Sequence, residues 1–567
     1  MRNVSLCLLI LLAACGDDKP RLFTRLPASR TGIDFRNMLK ETDPDFNIMQ
    51  YPYFYNGGGV AVGDINNDGL PDICFTGNMV RNRLYLNKGN FQFEDITDRA
   101  GIALKQGWCT GVTMADVNGD GLLDIYICRS GLPSADYRRN LLYINKGNLT
   151  FSEEAAAYGL DDPGYSTQAS FFDYDKDGDL DLVLINQSEP KYSKGLQEQS
   201  RLHGQPADPM YRNKLFRNDG GRFTDVTDSA GLRSNVLTYS LGLSTADIDM
   251  DGWPDIYIAN DFNEPDYCYI NNHDGSFSER LREKFDHVSQ YSMGCDVADY
   301  NNDGLPDVCV LDMLPENNHD QKMHIGADNF DKYQLLFQQG LYYQYMKNSL
   351  QKNNGDGTFS EIGQLAGVAA TDWSWSPLFA DFDNDGRRDL FISNGYKRDN
   401  TNLQFIKYSM DEARKMSQGG PPVAVEDYVS RMSGITIAPY LYRNTGNDRF
   451  EKKNADWGID ETGFTNGAVY ADLDNDGDLD LVMNSLDEEA GVYRNNGETL
   501  LKNHFLRIQL IGEGLNRYGY GAKVFAYGGG QVWYSEQDPV RGYQSGVDPV
   551  LHIGLGTLIR IDSLRVV

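Results

Sequence analysis

"DINNDGLPD", Asp64 to Asp72, places an acidic or amide side chain at positions 1, 3 and 5, a glycine at 6 and an aspartate at 9. The same nine residues return as "DVNGDGLLD" from Asp116, "DYDKDGDLD" from Asp173, "DIDMDGWPD" from Asp247, "DYNNDGLPD" from Asp299, "DFDNDGRRD" from Asp381 and "DLDNDGDLD" from Asp472. All seven copies keep Asp at 1, 5 and 9 and Gly at 6. Asp, Asn and Gly make good turns, but a turn is indifferent to its ninth residue. The repeat therefore answers a further demand.

Oxygens at alternate positions of a tight loop converge on a hard cation. Calcium accepts six to eight of them, whereas zinc would call for His or Cys and magnesium for a tighter octahedron. The expected cofactor is Ca2+, up to seven ions. The expected ligands are Asp64, Asn66, Asp68 and Asp72; Asp116, Asn118, Asp120 and Asp124; Asp173, Asp175, Asp177 and Asp181; Asp247, Asp249, Asp251 and Asp255; Asp299, Asn301, Asp303 and Asp307; Asp381, Asp383, Asp385 and Asp389; and Asp472, Asp474, Asp476 and Asp480. An EF-hand would need Glu at position 12 and flanking helices. Position 12 is Phe75 in the first copy and Leu184 in the third, and the residues that follow are strand-like runs such as "DIYIAND" and "DLVLINQ". The motif reads as a loop between two strands.

Each motif is followed by an amide-glycine turn leading to an aromatic or apolar residue, as in "LYLNKGNFQF" and "LYRNTGNDRF", which fits two more strands joined by a hairpin. Phe93, Phe151, Phe223, Phe359 and Phe450 each precede a glycine by eight residues, and the next motif's first strand follows. One repeat is four strands, and seven such repeats suit an all-β, seven-bladed propeller. Insertions are expected between second and third strands at 187–212, 312–347 and 394–438, with helical composition in "SMDEARKMSQ".

The motifs with their "N-x-G-x-F" hairpins resemble the FG-GAP/VCBS-type calcium propeller of integrin alpha chains over roughly Tyr51 to Asn496. "NHFLRIQLIGEGLNRYGYGAKVFAY" and "GYQSGVDPVLHIGLG" resemble the ASPIC/UnbV domain of the cartilage acidic protein-like family, which includes bacterial lipoproteins. The expected division is a signal peptide at 1–15, an N-terminal segment at 16–50, the propeller at 51–500 and a C-terminal β-rich domain at 501–567. That domain usually continues into a Trp-Pro-x-Gly turn after "IDSLRVV", so an incomplete domain is expected here. Adhesion-type relatives imply a binding role.

The opening "MRNVSLCLLILLAACGDDK" has one arginine, a short apolar run and small residues before Cys15, and resembles a bacterial lipoprotein signal with Cys15 as the lipidated residue. Gly16-Asp17-Asp18 resembles the export tag of Bacteroidota surface lipoproteins. The expected location is the outer membrane of a Gram-negative cell, surface-exposed and held by the lipid anchor alone. A formal net charge of -30 argues against nucleic acid and anionic lipid as partners. The remaining cysteines form no Cys-x-x-Cys pair and assign no disulfide, and Cys74, Cys128 and Cys309, in apolar runs just after motifs, read as small buried hydrophobes.

No His-Glu-x-x-His helix or Gly-x-Ser-x-Gly elbow is present, and the nearest histidine pair, His319 and His324, lies in an insertion. The reading is a non-catalytic surface module for adhesion or binding to a glycan or protein; the alternative is a carbohydrate-active lyase or hydrolase whose propeller holds the polysaccharide. Eight residues before six of the leading aspartates stand Trp108, Tyr165, Tyr239, Tyr291, Trp373 and Phe464. They share the face from which the insertions leave, opposite the metal loops, and are candidate ligand contacts or inter-blade packing. The seventh repeat, "VYRNNGETLLKNHFLRIQL", lacks the Phe-glycine signature, whereas Phe23, Gly32 and Ile33 near the start carry it with one extra residue. Residues 21–35 are therefore expected to supply the outermost strand of the last blade.

Overall fold

In a computed structural model, the structure describes residues 20–43, 46–103, 107–132, 134–188, 202, 204–324 and 330–567. The signal segment and Cys15 lie outside them. The chain is mostly β, and among the described residues seven sheets each contain four antiparallel strands; six hold just these four, and the first is extended to six by two short strands from the C-terminal segment. In the first, Val60–Gly63, Asp72–Phe75, Arg83–Asn87 and Phe93–Asp95 pair in sequence order. The first strands of the others are Cys109–Ala115, Tyr165–Phe172, Ser240–Ala246, Cys295–Ala298, Ser374–Ala380 and Thr465–Ala471. Each first strand touches the next in the chain and the last touches the first, so the sheets follow one another in a closed ring, as the blades of a propeller do.

Burial along a sheet follows that arrangement. First strands such as Cys109–Ala115 are buried at every residue, because neighbouring sheets cover both faces, while Phe93–Asp95 on the rim buries only Phe93. The rim strand runs into one helical turn, Thr97–Ala100, ended by Gly101 at φ 81°. That left-handed cap is the physical content of the Phe-to-Gly spacing, since only glycine takes this conformation freely. A Cβ at Gly32 would lie 2.4 Å from the carbonyl oxygen of Phe93, and one at Gly458 would lie 2.3 Å from that of Phe23, so these caps also pack directly on the next sheet.

Phe23–Arg25 pairs antiparallel with Gly491–Asn495, giving the last sheet its fourth strand, and the turn Ala28–Thr31 with Gly32 at φ 79° repeats the rim unit of the other sheets. The pairing covers three residues, shorter than the whole of 21–35. The insertions after the fifth and sixth motifs carry helices Asn318–Met323, Phe330–Gln338, Leu403–Ser417 and Val425–Ser430. His319 is exposed beside Asp320, whereas His324 Nε2 meets Asp399 at 2.8 Å and joins the two insertions.

The C-terminal segment is woven into the ring. Val540–Arg541 and Ser545–Gly546 form a hairpin whose second strand pairs parallel with Val60–Gly63 through Ala61 and Gly546. Around it, Gly542 N donates to Cys295 O (3.1 Å), Val112 N to Gln544 O (3.1 Å), Tyr543 N to Ser376 Oγ (3.2 Å) and Val60 N to Ser545 Oγ (3.2 Å). These partners lie on first strands of four sheets, so the hairpin fills the axis. Gly59 makes the close approach possible: a Cβ there would sit 1.7 Å from Gln544 O.

Candidate metal centres and the opposite face

Each nine-residue loop is held by its own backbone. In the first, Asp64 Oδ2 accepts from Gly69 N (2.7 Å), Asp64 Oδ1 from Asp68 N (3.1 Å) and Asp68 Oδ1 from Leu70 N (3.0 Å). Backbone donors thus fix the orientation of the loop carboxylates. Three-carboxylate clusters, within 4.8 Å ligand atom to ligand atom, form at Asp173, Asp175 and Asp181; Asp247, Asp249 and Asp251; Asp381, Asp383 and Asp385; and Asp472, Asp474 and Asp480. These are the four copies with Asp at position 3. The copies at 64, 116 and 299 have Asn there; in the first two its Nδ2 donates to the position-5 aspartate, Asn66 to Asp68 (2.9 Å) and Asn118 to Asp120 (3.0 Å).

A cation fits these loops on two counts. The donors are all oxygens, and the buried atoms Asp173 Oδ1, Asp249 Oδ1, Asp472 Oδ1 and Asp474 Oδ1 have no hydrogen-bond partner among the described residues. Burial and the neighbouring carboxylates push Asp173 up to about 6, and burial does the same to Asp472. The clusters could hold metal ions such as Ca2+.

The ninth aspartate does something the spacing did not disclose. Asp72 accepts from Ile65 N (3.0 Å) and from Asn87 N on the third strand (2.7 Å), and the other six repeat both bonds, Asp124 with Val117 and Asn145 for example. It staples loop to sheet. The asparagine of the amide-glycine turn then reaches the preceding sheet: Asn145 Nδ2 donates to Ile65 O (2.8 Å), Asn271 to Tyr174 O (2.9 Å), Asn495 to Phe382 O (2.8 Å) and Asn87 to Leu473 O (2.9 Å), the last crossing from first sheet to seventh. The sequence signal was the invariant Asn beginning each turn, which reads as turn chemistry alone.

The C-terminal segment covers the loop face. Lys523 Nζ meets Asp247 Oδ2 (2.8 Å), Arg507 meets Asp472 (3.5 Å), Asn503 Nδ2 donates to Asp383 O (2.7 Å), Trp533 Nε1 to Gly386 O (3.0 Å) and Arg517 Nε to Gly119 O (3.2 Å). The opposite face carries the insertions and the aromatic positions. Trp108, Tyr239, Tyr291 and Trp373 are buried in one aromatic cluster with Phe464 packed against it, and buried Tyr165 lies against Tyr211 and under Arg138. Trp108 lines a cavity of about 970 Å³ with Phe46 and Tyr137. Tyr291 and Trp373 line a second, of about 310 Å³.

The chain belongs to the FG-GAP-like repeat family, whose repeat matches residues 64–127, 132–184, 247–310, 337–392 and 427–483. Residues 512–567 match the ASPIC and UnbV domain. Across both parts the chain is similar to cartilage acidic protein 1 of Xenopus tropicalis, 25% identical over 545 residues covering 91% of this chain and 70% of that protein. The Mus musculus protein of the same name is 23% identical over 553 residues, covering 92% and 71%. Among solved structures, one of an Agrocybe aegerita lectin, described for recognition of non-reducing terminal N-acetylglucosamine, aligns at a TM-score of 0.36 with 16% identity, over 76% of this chain and 86% of that one.

Proposed function

We propose that the protein is a calcium-loaded, seven-bladed propeller that acts as a non-catalytic binding or adhesion module at the cell surface, anchored in the outer membrane through Cys15. Its calcium ions, up to seven, are structural: the loop residues named above hold them, and the ions neutralise carboxylates that otherwise repel. Its ligand is an extracellular glycan or protein, met on the face opposite the loops. The carrying observation is the asymmetry of the ring. The C-terminal segment covers the loop face, while the insertions and both aromatic-lined cavities gather on the other. Binding sites on rigid scaffolds favour such loop-rich, concave faces.

The test is a glycan and protein array probed with full-length protein, with calcium and with chelator, beside an assay for released reducing or unsaturated ends. Calcium-dependent capture without product release supports the reading. Turnover of a captured glycan would overturn the non-catalytic part of it.

A further inference from the structure

The 310 Å³ cavity sits over the tip of the axial hairpin, where Trp375 packs on Tyr543 with ring centroids 5.0 Å apart. Six rings line it: Tyr53, Phe262, Tyr291, Trp373, Trp375 and Tyr396. Trp373 and Tyr396 stack at 3.7 Å and 6°, making one flat wall. Asp261 is the carboxylate in the lining. Its Oδ1 accepts from Phe262 N (2.7 Å) and its Oδ2 from Tyr53 Oη–H (3.1 Å).

Charge decides what such a box takes. A second buried carboxylate, Asp312, stands close enough to interact with Asp261 and is held by the backbone N–H groups of Met313, Gln290 and Tyr291. Lys332 is the ammonium that acts on both, and its Nζ donates to Tyr291 Oη (2.5 Å). Among the described residues two carboxylates face one ammonium, so with both carboxyls ionised the apolar setting carries a net negative charge that a bound cation would relieve. Burial pushes the Asp261 carboxyl up to about 7 and pulls Lys332 down to about 8.

Asn56, Asn400 and Thr401 also line the cavity, but the six rings make up the larger part of its walls, together with Met293, Met313 and Ile406; a primary ammonium or a sugar would need its polar groups matched one by one. A methylated ammonium needs no such matching, because its methyls pack on the rings and its charge is drawn by their faces and by Asp261. We infer that the cavity bounded by Asp261 and the six rings is a binding site for a methylated ammonium group, carried by a free small molecule or by a side chain. The inference rests on the reading of this face as the ligand face and names one chemistry it recognises.

The experiment is calorimetric titration of the calcium-loaded full chain with tetramethylammonium, choline and a peptide bearing trimethyl-lysine, against the neutral isostere 3,3-dimethylbutan-1-ol and methyl glucosides. Choline is expected to bind at millimolar concentration or below, and the neutral isostere about tenfold more weakly or worse. Binding of choline together with the peptide assigns the group to a side chain; choline alone assigns it to a free ligand. Asp261→Asn, close in shape, should weaken choline by about tenfold, and Phe262→Leu, which keeps an apolar wall without its ring, should weaken it with circular dichroism unchanged. Equal binding of choline and its isostere, preference for a glucoside, or no choline heat at all overturns the inference. None of those results touches calcium-dependent capture on the array, so the two readings fail separately.

Discussion

The ion pair between Arg541 and Asp296 gives the axial hairpin a measurable anchor. Arg541 Nη1 donates to Asp296 Oδ1 (2.8 Å) and to Val297 O (3.1 Å), while Asp296 Oδ2 accepts from Phe379 N (2.7 Å). The side chains are 9% and 0% exposed. Arg541→Met keeps most of the buried stem and removes the cation, leaving Asp296 with a single N–H donor in the ring interior. Breaking a buried pair from one side costs about 3–5 kcal/mol. Borne by local opening of the hairpin, that lowers amide protection in a peptide spanning Val540 to Gly546 by about a hundredfold to a few thousandfold. Hydrogen exchange with mass-spectrometric readout under saturating calcium reports it directly. Asp296→Asn in the Arg541→Met background removes the directly bonded stranded charge and should restore part of the protection, the buried Asp538 carboxylate that Arg541 also faces accounting for the rest. Protection of the hairpin unchanged within about threefold in Arg541→Met would refute the view that this pair holds the C-terminal segment in the ring.

Calcium removal should lower the melting temperature substantially, since a site at one hundred times its dissociation constant contributes about 2.7 kcal/mol; an unchanged melt after verified metal removal would end the structural role. In the chelated protein, stability should fall as pH rises. Burial pushes Asp124 up to about 7, Asp72 and Asp255 to about 8 and Asp181 to about 9. These lie above the unfolded carboxyl value of about 4, so the stabilisation they bring is full below about pH 4, declines as pH rises from there and is gone once the folded values of about 7 to 9 are passed, giving a melting temperature that falls between about pH 4 and 9 with chelator and much less with calcium. Asn87→Ala removes the donor to Pro71 O and to Leu473 O and should cost about 1–3 kcal/mol in chemical unfolding, because it strands buried carbonyls.

What the sequence disclosed, and what it hid, divides along the range of the interactions. The loops, the four-strand repeat and the three insertions rest on contacts a few residues apart, and their signatures are periodic. The rim unit is local too, so the Phe23 to Gly32 spacing could be matched to Phe93 and Gly101 although its partner strand, Gly491–Asn495, lies more than four hundred residues away. The axial hairpin had no such signature. "DPVRGYQSGV" reads as an ordinary turn, and only the ring shows that Arg541 is buried against Asp296 and Gln544 against Val112 and Gln168. The inter-sheet bonds of Asn87, Asn145, Asn271 and Asn495 were hidden for the same reason: the turn explains the residue type, and a second role leaves no further trace in the pattern.

Those hidden contacts account for the two-faced character of the molecule. A ring of seven sheets with open ends would leave first strands facing a wet axis, yet these strands are buried at every residue except half-buried Tyr470. The hairpin supplies the missing cover from the loop side and brings Lys523, Trp533 and Arg517 down onto the loops with it. Cations held at those loops would act on two things together, the folding of each loop and the seat of the C-terminal segment. The opposite end of the axis is closed differently, by Tyr543 meeting Trp375 beneath a cavity walled with rings. A ligand in that cavity would press on the tip of the same hairpin that continues into the segment covering the loops. Occupancy of the cavity should therefore raise protection in the Val540 to Gly546 peptide, in the calcium-loaded protein, by the factor that its own affinity allows.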